Sequence, residues 1–457
     1  MAEDETNEAA AGKSAWVLIA ILVLFYIVAV LDRHVIAMLV DPIRADFRLS
    51  DLKISYLMGT AFALFYAVGG LPMGWLIDRF PRRRVLYAGI ALWGLAQASC
   101  GLATSFEQLF VARILTGFAE ATLMPAAHSM ISDAFPRNRL ATPISVFSMG
   151  AGLGAGVSTI LGGWLVQTFS SHGTFVLPLL GAVQPWQAVF FATGLPALII
   201  GLLIFTVREP KRRQKKAKDD QPLSGIFTHV RQNWRVWACL ASVFATMNIA
   251  YGSLVYWQPA YYTRFFHWSP AQYGLAIGIT TGIAGPAGML FSGKVVDRMM
   301  ARGIADAALV YYRRVLLLTT PIVLFALMSA NVWVYVGLIW IAQFATVNFL
   351  GFSSAAVQLI APPHLRGRAA ALFTTMIVAL VGAALGSLVP AFIAEHVLHD
   401  DVRLGHSIAL TFAICVPIAL AGIAFGRRPF REAVEAANAR HEAGRTPTVN
   451  ESRGASA

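Results

Sequence analysis

Long runs of apolar residues alternate with short polar stretches along the whole chain of 457 residues. Each run is long enough to span a bilayer, whose hydrocarbon core requires roughly 20 residues of α-helix. The short alternating segments typical of an outer-membrane β-barrel do not occur. The pattern predicts an all-α integral membrane protein with twelve transmembrane helices. They cover approximately residues 15–40, 52–77, 85–104, 106–132, 140–168, 186–207, 234–263, 270–296, 310–329, 331–359, 367–394 and 404–426.

A basic segment divides these helices into two sets of six. It begins at Arg208-Glu209-Pro210-Lys211-Arg212-Arg213 and carries too much charge to enter a membrane. We expect a short surface helix from Leu223 to Asn233 and a polar C-terminal tail that is disordered beyond Gly444. The predicted units are an N-terminal tail at 1–14, an N-terminal six-helix bundle at 15–207, a linker at 208–233, a C-terminal six-helix bundle at 234–427 and a tail at 428–457.

The distribution of charge indicates an orientation. Only 13% of the residues are charged, about half the fraction of a soluble domain. The net charge of +12 lies in the loops, where orientation signals belong, and this argues against nucleic-acid binding. About 29 of the 36 Lys and Arg residues lie on the side of the two termini. Both termini are therefore predicted to be cytoplasmic. The opposite loops hold Arg44, Arg48, Lys53, Arg264 and Arg403.

The N-terminus is acidic, with Glu3, Asp4, Glu5 and Glu8, whereas a cleaved signal peptide begins with basic residues. We therefore expect the first helix to be retained. The composition, rich in Ala and Arg, suits a bacterial protein, and we expect the chain to lie in the cell inner membrane.

A motif occurs once in each half. Gly74-Trp75-Leu76-Ile77-Asp78-Arg79 follows the second predicted helix, and Gly293-Lys294-Val295-Val296-Asp297-Arg298 follows the eighth. Basic turns also precede the fifth and eleventh helices, at Phe135-Pro136-Arg137-Asn138-Arg139 and Pro363-His364-Leu365-Arg366. Each half thus repeats one plan of six helices. Duplicated membrane folds with a site between the repeats are typical of secondary transporters.

These motifs resemble the major facilitator superfamily. The stretch from Gly74 to Arg84 is similar to that family's loop between helices two and three, except that Pro81 stands where the family usually has glycine. Arg208-Glu209-Pro210 resembles the end of its sixth helix. A narrower resemblance to the spinster-like branch rests on Leu31-Asp32-Arg33-His34-Val35-Ile36, Phe62-Ala63-Leu64-Phe65-Tyr66 and Ser132-Asp133-Ala134-Phe135-Pro136. The resemblance covers roughly residues 15–430 and implies transport by alternating access.

Four ionisable residues lie inside predicted helices: Asp32 and Arg33 in the first, and Arg113 and Glu120 in the fourth. A charge in the bilayer core is costly and marks a functional site. Arg113 and Glu120 are seven residues apart and so share a helix face. We predict that Asp32 and Glu120 couple protons, and that Arg33 and Arg113 bind an anionic substrate. The resemblance to spinster-like carriers implies the same roles; permanent buried salt bridges are the alternative.

Polar and aromatic residues at helical spacing are candidates for the substrate cavity. In the seventh helix Asn248, Tyr251 and Gln258 share a face. His128 in the fourth helix is a further candidate, for proton relay or substrate contact. Hydrogen bonds between helices and close helix packing explain the same residues at least as well. Similar stripes contain Ser145, Ser148, Gly152 and Thr159 in the fifth helix and Gln343 and Thr346 in the tenth.

The repeated motif is also predicted to form a cytoplasmic gate, as the family resemblance implies. An aspartate near a helix end can pair with basic residues of another loop and hold one state closed. The alternative is a plain orientation signal. The predicted gate residues are Gly74, Asp78, Arg79, Arg83, Arg139, Asp297 and Arg298.

Other functions lack supporting motifs. Gly12-Lys13-Ser14 resembles the end of a phosphate-binding loop, but Asn7 occupies the first glycine position. The three cysteines are far apart and have no metal or disulfide spacing. We therefore expect no cofactor, no metal and no enzyme activity.

The preferred hypothesis is a monomeric, proton-coupled symporter of an amphipathic organic anion, such as an aromatic acid. A lysolipid or sphingolipid transporter or exporter of the spinster type is the first alternative, and a non-transporting receptor or scaffold the second.

Overall fold

The computed structural model describes residues 2–136, 140–177, 181–212, 224–362, 369–370, 372–373, 380–400 and 403–443. Within this part of the chain, eleven helices are long and apolar enough to cross a membrane. One further membrane helix, the third along the chain, is Arg82–Cys100. Its 19 residues begin with three arginines, Arg82, Arg83 and Arg84, which lower its mean hydropathy. The prediction of an all-α protein with twelve transmembrane helices is confirmed.

The N-terminal half contains α1 to α6. α2 begins as Asp51–Ser55, passes through a π-helical turn at Tyr56–Thr60 and continues as Ala61–Arg79. α4 is Phe106–Glu120 followed, after a break, by Leu123–Ala134. α6 ends in a 3₁₀ turn at Leu202–Thr206. The other helices of this half are α1, Ala2–Met38; α3, Arg82–Cys100; α5, Ala141–His172; and α6, Pro185–Gly201.

The C-terminal half contains α7 to α12. α10 consists of Val332–Thr346 and Phe349–Ile360, and α11 of Val381–Phe392 with a π-helical turn at Ile393–Leu398. The other helices are α7, Trp234–Phe266; α8, Pro270–Ala301; α9, Ala307–Met328; and α12, Leu404–Ala443.

Short elements lie outside the membrane helices. The helix Val40–Phe47 follows α1, and the helix Ser224–Gln232 precedes α7, where the sequence predicts a surface helix. Between α5 and α6, β1 (Phe175–Leu177) and β2 (Gly181–Val183) pair antiparallel, with Phe175 opposite Val183.

The last helix is longer than its apolar segment. α12 continues beyond Arg427 because its polar end remains attached to the C-terminal half. Arg427 pairs with the buried Asp306 at the start of α9, and Phe430 and Val434 are buried. The predicted disordered residues beyond Gly444 lie outside the described residues.

Capping residues account for several helix starts. Ser105 accepts from the backbone N–H of Gln108 at the start of α4, and Asn331 accepts from that of Trp333 at the start of α10. α6 and α8 each begin with proline, whose missing N–H has no intrahelical partner at that position. These signals are local, so the sequence alone fixes these boundaries.

The packing of the helices repeats between the halves. In the N-terminal half α1 packs on α5, α2 on α4, and α3 on α6; in the C-terminal half α7 packs on α11, α8 on α10, and α9 on α12. The halves meet through α5 with α8, α2 with α11, and α1 with α7. We call the side where α1 begins and α12 ends the terminus side, and the opposite side the far side.

The contact of α5 with α8 is made by glycines on both helices. A Cβ at Gly156 would lie 2.8 Å from the carbonyl of Gly278, and one at Gly274 would lie 2.9 Å from the Cα of Gly163. Both distances are too short for a real side chain, so the two backbones touch directly. Small residues allow such close approach of helices in membranes. We call this contact the glycine seam.

We predict that Gly274→Val destabilises the protein, because the added side chain meets backbone that cannot move aside. Overpacking of this kind costs about 1–3 kcal/mol, and the midpoint of thermal unfolding in detergent should fall by several degrees. Gly337→Val in α10 is the matched control, since a Cβ there meets nothing within 4 Å. Equal midpoints for the two variants would contradict a close-packed seam.

Candidate functional site

The four ionisable residues predicted inside the membrane lie together in the N-terminal half. α1 carries Asp32 and Arg33, and α4 carries Arg113 and Glu120. Asp32, Arg113 and Glu120 are at most 1% exposed, whereas the side chain of Arg33 is 31% exposed. Two cations and two carboxyl groups thus occupy one region of the protein interior, and their pairing decides what the site can do.

Arg33 pairs with Glu120. The Nε of Arg33 donates to Oε1 of Glu120 at 2.7 Å, and Nη2 contacts the same oxygen. The other oxygen, Oε2, is buried without a hydrogen-bond partner among the described residues. α4 breaks directly after Glu120, because Pro125 cannot bond the carbonyl of Ala121 and clashes with it. The break ends the helix at the residue that holds Arg33.

Asp32 is held by a neutral group. The indole Nε1 of Trp93, on α3, donates to Oδ2 of Asp32 at 2.5 Å. Oδ1 is buried without a hydrogen-bond partner among the described residues. No described cation lies within ion-pair distance of Asp32, so its carboxyl group differs from that of Glu120.

Arg113 also has no carboxylate partner among the described residues. Its Nη1 donates to Oε1 of Gln97 at 3.3 Å, and Nε is buried without a partner. Its guanidinium lies 5.3 Å from the ring centre of Phe62 on α2. The approach of α2 requires Gly117, since a Cβ there would overlap the carbonyl of Phe62. Arg113 is therefore a buried cation with unused hydrogen-bond donors.

A cavity of about 130 Å³ lies beside these groups, and we call it the charged cavity. Its wall includes Arg33, Arg113, Phe62, Tyr66 and Tyr256. Arg33 lies 4.9 Å from the ring centre of Tyr66 and 5.2 Å from that of Phe62. Because Tyr256 belongs to α7, the cavity lies between the two halves. It offers two guanidinium groups to a ligand and, among its described lining, no carboxylate.

Gln258 lines a second cavity, of about 110 Å³, between α1, α5, α7, α8 and α10. His34, Thr159 and Gln343 line it too, and we call it the neutral cavity. The remaining predicted substrate contacts lie elsewhere: His128 packs against Phe147, and Tyr251 against Phe412.

Asn248 lies at the contact of α7 with α11, where a Cβ at Gly382 would overlap its side chain. Asn248, Tyr251 and His128 are not among the described residues that line either cavity. Among the described residues, no group of three or more metal-ligating side chains could hold a metal ion.

The predicted gate residues lie on the terminus side. Asp78 and Asp297 are exposed and make no ion pair with any described residue. A Cβ at Gly74 or at Gly293 would meet nothing within 4 Å. Arg79 lies 4.4 Å from the ring centre of Trp75, and Arg298 is exposed. Arg139 lies outside the described residues.

Arg82 and Arg83 instead tie the start of α3 to its own half. Arg82 is 1% exposed, and its Nη1 donates to Oδ2 of Asp133 at 2.5 Å. Its backbone N–H donates to Glu209, and Nη1 of Arg83 donates to the carbonyl of Val207 at 2.6 Å. Sequence reasoning placed Arg83 in the gate but did not find its partners beyond α6.

The linker makes further hydrogen bonds to the N-terminal half, which the sequence analysis did not predict. Arg212 donates to the carbonyls of Ile77, Asp78 and Phe80 at the end of α2. Free carbonyls at a helix C-terminus attract cations, so a basic linker next to that end was the available signal.

Ion pairs join the two halves on the far side. Arg264, at the end of α7, donates from Nη1 to Oδ2 of Asp51 at 2.6 Å and from Nε to Oδ1 of Asp41 at 2.8 Å. Asp51 begins α2 and is 0% exposed, and Arg44 lies 3.4 Å from it. We call Arg264, Asp41, Asp51 and Arg44 the far-side cluster. The backbone N–H of Leu52 also donates to Glu395 of α11, at 3.4 Å.

The sequence did not predict this cluster. In the sequence its residues are a few scattered charges near the far-side ends of helices. They are far apart along the chain, so their contact cannot be inferred from the sequence. On the terminus side, each described ion pair joins residues of a single half. The structure is therefore closed on the far side.

Comparison with known proteins agrees with this architecture. A family model described as Major Facilitator Superfamily matches residues 22–387. An MFS-type efflux pump of Mycolicibacterium smegmatis is 26% identical over 404 residues, which cover 88% of this chain and 90% of the pump. A probable galactarate/D-glucarate transporter of Bacillus subtilis is 23% identical over 411 residues, covering 82% and 86% of the two chains.

Solved structures show the same fold. A bacterial homolog of the human lysosomal transporter spinster, in an inward-facing and unoccupied conformation, superposes with a TM-score of 0.71 at 22% identity. The superposition covers 94% of this chain and 98% of that homolog.

We predict that Arg264→Gln opens the far side. The substitution leaves Asp51 buried beside Arg44 alone, and removal of one partner of a buried ion pair costs about 3–5 kcal/mol. Spin labels are placed at Thr104→Cys and Ala330→Cys, in far-side loops of the two halves. Double electron–electron resonance then measures the distance between the halves on that side. The fraction of molecules with a longer distance between the two labels should be at least about tenfold larger in the variant than in the parent.

Arg403→Gln is the matched control for this experiment, because Arg403 also lies on the far side but pairs with Asp400 in its own half. An unchanged distance distribution in Arg264→Gln would contradict a closing role for the far-side cluster.

Proposed function

The chain belongs to the Major Facilitator Superfamily and is a transporter, and we propose that it takes up an organic anion by symport with protons. The observation that carries this proposal is Arg113, a buried guanidinium on the wall of the charged cavity with no carboxylate partner among the described residues. Arginine binds carboxylates in a planar, bidentate geometry and stays charged at any working pH. Arg113 is thus suited to receive a substrate carboxylate.

The balance of charge in the site supports coupling to protons. With both carboxyl groups ionised, Asp32, Arg33, Arg113 and Glu120 carry no net charge. An anion bound alone would leave one net negative charge in the membrane core, and a proton bound alone one net positive charge. Uncompensated charge there is costly. Anion and proton bound together restore neutrality, so each favours the binding of the other.

We assign the proton to Asp32 and Glu120, with Asp32 as the primary carrier. Asp32 accepts a hydrogen bond from the neutral indole of Trp93, whereas Glu120 already pairs with Arg33. A carboxyl group without a cation partner tolerates the neutral form best in a dry site. Glu120 holds Arg33 until substrate arrives, and Arg33 then reaches the anion over Phe62 and Tyr66.

Alternating access would follow from the two ends of the molecule. The far-side cluster closes one side, while Asp78 and Asp297 are exposed on the other. We propose that these aspartates, with Gly74, Arg79, Arg83, Arg139 and Arg298, form the gate of the opposite state. The empty space at Gly74 and Gly293 supports this role, since another backbone can approach there.

The orientation is a proposal from the distribution of Lys and Arg. The terminus side is then cytoplasmic, and the membrane is the inner membrane of a bacterium. We propose that a monomer is the working unit. The proton gradient supplies the energy, without a cofactor.

Two other cargoes are compatible with the fold. The similarity to an efflux pump favours export, and the resemblance of the sequence to the spinster-like branch implies a lipid-like cargo. The charged cavity supports a small anion, because two guanidinium groups face a space of about 130 Å³. The name of the Bacillus subtilis relative also favours an organic acid.

We predict that Asp32→Asn abolishes proton-driven accumulation but retains exchange. One-to-one symport of an anion with a proton permits about tenfold accumulation for each unit of pH gradient. Proteoliposomes with an imposed gradient should concentrate a labelled, membrane-impermeant organic acid when they contain the parent protein. The variant should reach only the external concentration while counterflow continues. Glu107→Gln, an exposed acid on α4, is the control; full accumulation by Asp32→Asn would refute the role of Asp32.

We predict that Arg113→Gln weakens substrate binding. Hydrogen bonds to charged groups contribute about 1.5–3 kcal/mol, so affinity should fall roughly 10- to 100-fold, with Arg113→Lys between parent and Gln. Isothermal titration of the purified variants in detergent measures this change. Arg403→Gln serves as the control on the far side. Equal affinities of parent and Arg113→Gln would place the anion elsewhere.

A further inference from the structure

The neutral cavity lies beside the charged cavity, at the same level along α1 and α7. Arg33 lines the charged cavity and His34 the neutral cavity; Tyr256 lines the charged cavity and Val255 the neutral one. Consecutive Cα atoms are 3.8 Å apart, so the two linings adjoin along both α1 and α7. Both cavities lie between the halves, since α7 belongs to the C-terminal half.

The chemistry of the two cavities differs. Polar groups of the neutral cavity come from His34, Thr159, Gln258, Thr281 and Gln343. Its described lining contains no Asp, Glu, Lys or Arg. A charged ligand group would find no counter-charge there, whereas a neutral hydrogen-bonding group would find several partners.

Two polar atoms in this cavity are unsatisfied: Nδ1 of His34 and Oε1 of Gln343 are buried and have no hydrogen-bond partner among the described residues. A buried polar atom without a partner is costly, and a ligand that supplies the bond removes this cost. The oxygen and nitrogen of a glutamine amide are easily exchanged in assignment. A hydroxyl group satisfies either assignment, because it both donates and accepts.

The hydroxyl of Thr159 leaves room for the same partner. It donates to the carbonyl of Ala155 at 2.7 Å, so its oxygen can still accept a hydrogen bond. The cavity of about 110 Å³ equals roughly four water molecules in liquid volume. It can therefore hold a short hydroxylated segment but not a long acyl chain.

We propose that the neutral cavity binds the hydroxylated part of the transported anion, so that the substrate is a hydroxy acid. Its carboxylate lies at Arg113, and its hydroxyl groups lie among His34, Gln258 and Gln343. This inference rests on the proposed function and defines its substrate class. It makes Gln258 and Gln343 specificity-determining residues, whereas Arg113 binds any carboxylate.

The test compares matched acids that differ in hydroxyl groups. Gluconate is paired with hexanoate, and 4-hydroxybenzoate with benzoate. Binding to the full-length protein in detergent is measured by isothermal titration, which avoids leakage of neutral acids through membranes. At least one hydroxylated acid should bind about tenfold or more tightly than its partner, since a site built to hydrogen-bond a hydroxyl rejects the analogue that lacks it.

Variants then locate the discrimination. Gln343→Leu and Gln258→Leu, tested separately, should each reduce affinity for the preferred hydroxy acid at least about fivefold. They should leave affinity for the matched acid without hydroxyls unchanged. Gln358→Leu is the control, since Gln358 is exposed on the same helix, α10. Elution as a single peak in size-exclusion chromatography shows that each variant is folded.

The outcomes separate this inference from the proposed function. The neutral cavity does not recognise hydroxyl groups if the parent binds both members of each pair equally. The same conclusion follows if the Gln variants lower the affinity for both members equally. The proposed anion symport would still stand in that case. If none of the four acids binds and none is accumulated under a pH gradient beyond the level in protein-free liposomes, the organic-anion proposal fails, and this inference fails with it.

Discussion

Neutrality of the buried charged site is the constraint on which the rest depends. Two arginines and two carboxyl groups lie where uncompensated charge is costly. Their net charge is zero only when all four are counted together. Arg33 and Glu120 satisfy each other directly. Asp32 and Arg113 do not touch; each is held by a neutral partner, Trp93 or Gln97. In the proposed symport, a set that is balanced in total but unpaired in part accepts a proton and an anion together.

The sequence predicted what depends on local or periodic signals. Hydropathy predicted the twelve helices, and the two halves followed from a repeated motif and a basic linker. Charged residues inside helices predicted the location of the candidate site, because a charge in an apolar segment is costly. The extent of α12 was underestimated, since its last turns are polar and depend on the tie between Arg427 and Asp306.

Pairings between distant residues could not be predicted from one sequence. Asp51 begins α2 and Arg264 lies at the end of α7, so they are far apart in sequence. They meet only because the two halves are in contact on the far side. Likewise, four charges allow several pairings, and the choice depends on Trp93 and Gln97 of α3, which carry no charge signal. Among the predicted gate residues, Asp78, Arg79, Asp297 and Arg298 are exposed, and their proposed contacts belong to the opposite state of the cycle.

The glycine seam has a consequence for how the two halves move. Interlocked side chains resist rotation because they must leave one set of gaps before entering another. At Gly156, Gly163 and Gly274 backbone meets backbone, and at Gly278 the side chain of Ile160 also packs on the seam. The seam therefore has few side chains to disengage, which suits a pivot. In the proposed cycle, a rotation about this pivot must also break the far-side ion pairs, which join the same two halves.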